Sequence, residues 1–364
     1  MTMLVNIGAF IFMLVILVFV HELGHFVVAM RMGIKVDEFG IGYPPRALTL
    51  FERNGVKYTL NWLPLGGFVR FGGEGDNALY GVGSLAQAPP WRKIPVMVAG
   101  PLMNLFLAMI ILAGLFLTYG EPTGNQRFSE VFSGSPAAAA GLRANDVLVS
   151  LNGEPVSERG SITAVASANV GEPIPAVVKR DGELVTLQVT PGTWAKPDGT
   201  AMPAGLGISY GPEQQPTNIF RAAWLGITSS LDTLGQMLGF FGTLIGGLFT
   251  GAPQPEGGGL AGPIGIARVT GEVIERGGIS GFWNLMALLS LNLFLLNLLP
   301  IPALDGSHIL FALIEWVRGG RKVPPEKEAL VHAIGFATLM VLMLVVSISD
   351  IVNAVNGRSV LGGG

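Results

Sequence analysis

The sequence contains no cysteine, which excludes disulfide bridges, thiolate metal sites and cysteine nucleophiles. Any transition metal must therefore be held by histidine and carboxylate. Charge is scarce as well: Asp, Glu, Lys and Arg make up 13% of the 364 residues, well below the usual quarter or so in soluble domains. The formal net charge of -3 and the pI near 5.9 leave no basic surplus for nucleic acid. What is present instead is apolar, 50% of the chain, and it comes in long runs.

Four runs are long and apolar enough to cross a bilayer, at about Leu4 to Met30, Val96 to Leu117, Ser280 to Leu299 and Ala329 to Ile348. The first continues without a small-residue cleavage site and reads as a retained helix, not a secretory signal. A fifth run, Thr233 to Thr250, is uncharged but rich in glycine. The expected fold class is a polytopic α-helical membrane protein with four transmembrane helices. It carries a membrane-associated β-hairpin sheet on the cytoplasmic side and an inserted extracytoplasmic domain.

The hairpin sheet is expected between the first two spans, where short β-type runs flank turn signals such as Asn54-Gly55. This loop is basic, with Arg31, Lys35, Arg46, Arg53, Lys57, Arg70, Arg92 and Lys93, as is the link holding Arg318, Arg321, Lys322 and Lys327. The positive-inside rule places both in the cytoplasm. From about Gln126 to Thr193 the texture changes to that of a soluble domain. A short helix at Ser135 to Leu142 leads into strands at 147–151, 176–180 and 184–189, with Asn152-Gly153 and Asp181-Gly182 turns. The expected divisions are 1–120, two spans and the hairpin; 121–195, the soluble domain; 196–262, a linker and interfacial amphipathic segment; and 263–364, the last two spans. Gly251 to Gly262 reads as a flexible loop and the final Leu-Gly-Gly-Gly as a disordered end.

His21-Glu22-Leu23-Gly24-His25 fits the H-E-x-x-H pattern. On a helix the two imidazoles lie one turn apart on one face, so both can reach one metal, and zinc suits neutral nitrogen ligands joined by a carboxylate. Glu22 then stands beside the open position as general base. Chance alone can produce five such residues, but two histidines and a glutamate are expensive to hold within an apolar span, which favours a functional reason.

A third ligand is offered by Asn297-Leu298-Leu299-Pro300-Ile301-Pro302-Ala303-Leu304-Asp305-Gly306. The prolines break the helix, leaving an unwound stretch that can turn Asp305 to the metal, with Gly306 expected to free the backbone for that turn. Asp305 could instead cap the following helix. His308 is a competing ligand, read as packing or a hydrogen-bond partner on a helix expected from Ile309, and His332 as an interfacial residue. At 1.5 Å per residue, His21 lies roughly 25 Å along the first span, near the cytoplasmic face. Asp305 must reach that same side, so the fifth run is expected to lie on or dip into the outer leaflet, not to cross.

The ordered set of His-Glu-Leu-Gly-His, Gly100-Pro101-Leu102-Met103-Asn104, Gly262-Pro263-Ile264-Gly265 and Asn297 through Gly306 resembles the site-2 protease family across nearly the whole chain. The resemblance is to its bacterial regulator of sigma-E protease branch, and the soluble stretch resembles a PDZ domain, present once. That resemblance implies Zn2+ held by His21, His25 and Asp305, with Glu22 as catalytic base. It implies Asn297 near the substrate backbone or the oxyanion, although Asn297 also reads as a helix-end cap. Asn104 matches a family position too, for substrate or for a hydrogen bond between spans. The implied function is intramembrane proteolysis, in a bacterial inner membrane, of single-span proteins such as anti-sigma factors or signal-peptide remnants. The hairpin would pair with an extended substrate.

The chain departs from the family pattern in three places. Many members of the branch carry two PDZ copies. No peptide-carboxylate loop is recognisable in Gly124 to Glu130, which suits a size filter better than a grip on a C-terminus, and Gly40-Ile41-Gly42-Tyr43-Pro44-Pro45 only approximates the family turn. A membrane-anchored PDZ adaptor with a structural metal site is the rival reading, and intact Glu22 counts against it. A metal or proton conduit is a third, poorly supported without carboxylates along the other spans.

Overall fold

The computed structural model describes residues 3–72, 84–155, 159–195, 199–250 and 262–355. The expected loop at 251–261 and the Leu-Gly-Gly-Gly end lie outside these residues. In chain order the elements are α1 (Met3–Arg31), β1 (Val36–Arg53), β2 (Val56–Phe71), α2 (Pro90–Tyr119), β3 (Glu121–Val131), α3 (Pro136–Ala139), β4 (Val147–Leu151), β5 (Glu154–Pro155), α4 (Arg159–Ala168), β6 (Ile174–Arg180), β7 (Glu183–Val189), β8 (Gly192–Ala195), β9 (Ala201–Gly205), β10 (Ile208–Gln215), α5 (Ile219–Thr250), α6 (Pro263–Leu298), α7 (Asp305–Val317) and α8 (Pro325–Val355). They form two compact units, Met1–Leu115 with Ala222–Gly364, and Phe116–Arg221.

Among the described residues four helices are long and apolar enough to cross a membrane: α1, α2, α6 and α8. Leu342, Leu344, Val345 and Ile348 on α8 all face outward, as helices require when lipid rather than water is the solvent. Helix α6 is longer than the apolar run because it joins two pieces. Gly278, at φ 59° and ψ -145°, breaks the helical path, and the piece after it matches the expected span.

The core between α1, α2, α5 and α6 is built on Met13, Leu17, Ala108, Leu234, Phe282, Met286 and Leu291. Its contacts fix the helix directions. A side chain at Gly271 of α6 would meet Asn6 near the start of α1, and the Phe282 ring lies 6.4 Å from Phe12. Helices α1 and α6 therefore run the same way, so the chain that leaves α2 re-enters α6 at the end of the bundle it left. Asp350 near the end of α8 accepts the amides of Gly262 and Gly265 at 3.0 and 2.8 Å. It thereby supplies the anionic cap that the N-terminus of α6 lacks.

The two long strands of the hairpin fold over on themselves, so that Glu38 to Ile41 pair on one side with Lys57 to Leu60 and on the other with Gly67 to Arg70; the short β-type runs expected there are its arms, and the turn at Asn54-Gly55 has φ 53° and 77°. Glu38 is buried between them, held by Arg46 and Arg70 at 2.9 Å each and by Thr59 at 2.8 Å. In the second unit the sheet runs β10-β3-β4-β6-β7, with β5 beside β4, over a core of Phe128, Leu148, Leu151, Ile162, Val178 and Val189. The expected Asn152-Gly153 and Asp181-Gly182 turns are present, again with positive φ.

Two boundaries differ from expectation. Residues 201–215 are not a linker: β9 pairs with β8, and β10 completes the sheet against β3, which closes the second unit at Arg221. The fifth apolar run is the C-terminal half of a continuous 32-residue helix, α5. A side chain at Gly226 there would collide with the Met109 carbonyl and Ala113 of α2, so glycine permits the close approach.

Candidate metal centre

His21 and His25 face one direction from α1 because four residues separate them on a 3.6-residue period. Their Nε2 atoms are 3.1 Å apart, and both face Oδ2 of Asp305, at 3.0 Å from His21 and 3.3 Å from His25. Both histidines are buried. Close packing makes this possible. A Cβ on Gly24 would strike the Ala99 carbonyl and one on Gly100 would strike the His25 ring, so small residues let α1 and α2 meet at the site.

The opposite nitrogen of each ring is tied back. His25 Nδ1 donates to the Val96 carbonyl of α2 at 2.7 Å. His21 Nδ1 lies 3.2 Å from the side-chain amide of Asn104, whose Oδ1 is buried without a partner while Nδ2 faces the ring. Amide oxygen and nitrogen are interchangeable by a half-turn, and with Oδ1 toward the ring it accepts Nδ1-H, the tautomer that leaves Nε2 free for a metal. Both rings then carry their proton on Nδ1 and present a bare Nε2.

Two lone pairs and a carboxylate oxygen thus converge with no proton of their own to share, and Asp305 Oδ2 is buried without a hydrogen-bond donor. A cation resolves this. Ligands at 2.0 to 2.1 Å around tetrahedral zinc stand about 3.3 Å from one another. The observed separations of 3.0, 3.1 and 3.3 Å fit that group, and the three residues can hold one metal ion.

Glu22, next to the first histidine, accepts the Val69 amide of β2 on Oε2 at 3.1 Å. That N-H turns away from β1, so the outer edge of the hairpin runs past this carboxylate.

Asp305 arrives through the proline-broken segment. Helix α6 stops at Leu298, and α7 starts at Asp305 itself, not at Ile309. The residue in the left-handed region is Ala303, at φ 75°, rather than Gly306. Gly306 is needed for a different reason, since a Cβ there would collide with the Leu299 carbonyl. His308, three residues on, points elsewhere: its Nδ1 lies 3.7 Å from Glu328, and its ring stacks on His332 at 4.2 Å.

The two asparagines separate. Asn297 donates back to the Leu293 carbonyl of its own helix at 3.0 Å. Asn104 is fully buried behind His21, in the hydrogen bond between spans that is one of the two roles expected of it. Sequence reasoning did not find the ties from Val96 and Val69, since backbone groups carry no residue signature. For Asn104 the signal was present: an amide in an apolar span needs a partner.

Comparison with known proteins agrees with this geometry. The chain is 32% identical to the regulator of sigma-W protease RasP of Bacillus subtilis, over 94% of this chain and 97% of that protein. It is 32% identical to a putative zinc metalloprotease of Agrobacterium fabrum, over 94% of each. It is also 31% identical to the zinc metalloprotease RasP of Geobacillus kaustophilus, over 95% and 97%. The family model described as peptidase family M50 matches residues 9–342, a stretch that holds His21, Glu22, His25, Asn104 and Asp305, and the chain belongs to that family.

Proposed function

We propose that the protein is an intramembrane zinc metalloprotease that cuts single-span membrane proteins within or near their transmembrane segments. The observation that carries this is the meeting of His21, His25 and Asp305 on one point beside Glu22 at the end of a membrane helix. Zinc bound there would polarise the scissile carbonyl and acidify the attacking water. Glu22 takes the water proton as the oxygen bonds to the carbonyl carbon, then delivers it to the departing amide nitrogen as the carbon-nitrogen bond breaks.

The outer edge of β2 supports an extended substrate. A peptide adding there as a further strand would run beside Glu22, and it would compete for the Val69 N-H that now holds Oε2. Asn297 would meet this peptide once released from the Leu293 carbonyl.

The basic hairpin loop supports a reading in which the site lies at the cytoplasmic face of a bacterial inner membrane and the unit Phe116–Arg221 outside it, as a single PDZ-like filter for substrates already trimmed there. The printed name of the Bacillus subtilis relative supports substrates that control a sigma factor, such as anti-sigma factors; signal-peptide remnants have the same single-span chemistry. A metal-stabilised adaptor would have no use for Glu22.

The test is co-expression with a tagged single-span reporter. Wild type cleaves it, and Glu22→Gln lowers cleavage by about 10²- to 10⁴-fold, the range for a general base, while bound zinc is unchanged. Equal cleavage by the two proteins overturns the protease reading.

A further inference from the structure

Asp305 reaches the two histidines just after a turn over Ile301 to Leu304, closed by the Leu304 N-H on the Ile301 carbonyl at 3.1 Å. Ala303, two residues before Asp305 and inside that turn, sits at φ 75°, a conformation that is costly for an alanine and is helped by contacts from outside the turn. Those contacts come from α8. The Ala303 N-H donates to His332 Nδ1 at 3.1 Å. Three residues along the same face of α8, Gly335 lies so close to Pro302 that a Cβ would collide with it. Ser307 joins the arrangement, its hydroxyl donating to the Leu304 carbonyl at 2.7 Å and lying 3.4 Å from His332 Nδ1.

The direction of the Ala303 bond fixes the state of the ring. A backbone amide can only donate, so Nδ1 of His332 is an unprotonated acceptor and the proton of the neutral imidazole is on Nε2. That nitrogen is therefore not a free metal ligand. His308, Glu328 and His332 have the residue types of a metal site and lie close enough for one, but in this arrangement His332 is already committed to the turn.

We propose that His332 is a positioning residue: by accepting the Ala303 N-H it fixes the turn that aims Asp305 at His21 and His25, so the last membrane span sets the affinity for the metal. This rests on the zinc reading of the site.

The test is zinc affinity of the purified full-length chain in detergent, by competition with a chromogenic chelator, for wild type, His332→Leu and His332→Asn. Leucine keeps bulk but offers no acceptor, and it should weaken zinc binding by about ten- to hundredfold, the usual effect of losing a support behind a ligand. Asparagine carries Oδ1 on Cγ where histidine carries Nδ1, so it should stay within about threefold of wild type. Wild-type affinity in His332→Leu overturns the proposal. So does equal weakness of the two variants, which would assign the effect to packing of the His332 ring on His308 and on Phe311, whose ring centroid lies 5.7 Å away. Thermal unfolding of the metal-free proteins checks that each is folded, and His332→Ala carries the same expectation where leucine is not accommodated. A wild type that binds no zinc would instead remove the reading of the site on which this rests.

Discussion

In the His21, His25 and Asp305 group both Nε2 atoms approach one carboxylate oxygen, at 3.0 and 3.3 Å, from rings tied back at Nδ1. In the His308, Glu328 and His332 group the rings lie face to face at 4.2 Å, the nearest nitrogen to carboxylate distance is 3.7 Å, and His308 is exposed. Each group offers two histidines and one carboxylate. The difference is what the second nitrogen of each ring does. Where Nδ1 gives its proton to a carbonyl or an amide oxygen, Nε2 is left bare; where Nδ1 receives a backbone N-H, Nε2 holds the proton. Two histidines and a carboxylate become a cation site only when the groups behind them choose the tautomer.

The largest effect that could break this contrast is loss of the metal itself. His21→Ala should leave purified protein essentially free of zinc, whereas His308→Ala should keep about one zinc per chain, measured by elemental analysis after dialysis. Retention by the first or loss by the second would show the two groups to be misassigned. A smaller effect tests the tie behind His21. Asn104→Leu removes the amide acceptor while filling its volume, and should weaken zinc about tenfold in a chelator competition. Unchanged affinity would mean that helix packing alone orients the ring.

Much of this was legible because it is local. The apolar runs marked the four spans, and Asn-Gly and Asp-Gly pairs marked turns that the backbone makes with positive φ. Pro300 and Pro302 marked the break that delivers Asp305. What stayed hidden depends on partners far along the chain. Nothing near residue 208 announces that β10 will complete a sheet begun at Glu121, because strand pairing is decided by the neighbour and not by the strand. The kink at Gly278 lies inside a run where glycine is common. His332 looked interfacial because its partner is a backbone amide twenty-nine residues earlier. Asn104 was noticed as a motif residue, yet its side of the helix was not legible, and that side decides between touching substrate and touching His21.

The second unit holds a buried carboxylate satisfied without any cation from outside, and it sharpens the comparison further. Asp146 is 2% exposed. It accepts from Arg180 through both oxygens, at 2.8 and 2.7 Å, and from the Arg143 amide at 2.9 Å. Burial by itself would raise its pKa, but the Arg180 guanidinium and the Arg143 amide outweigh burial and hold the carboxyl below its ordinary value. A carboxylate with a depressed folded pKa contributes stability that is fully present above its unfolded pKa, about 3.9. That contribution is lost as pH falls through the lower folded value. Asp146→Asn should therefore destabilise this unit by about 1.5 kcal/mol near neutral pH, in the range for a hydrogen bond to a charged group. The gap between variant and wild type should narrow on acidification below about pH 4. Hydrogen exchange of β4 and β6 peptides in the full-length protein, corrected for intrinsic rates, reads this directly. A gap that stays constant to pH 3 would show that the pair acts through shape and not through charge, removing Asp146 as the counterexample to Asp305.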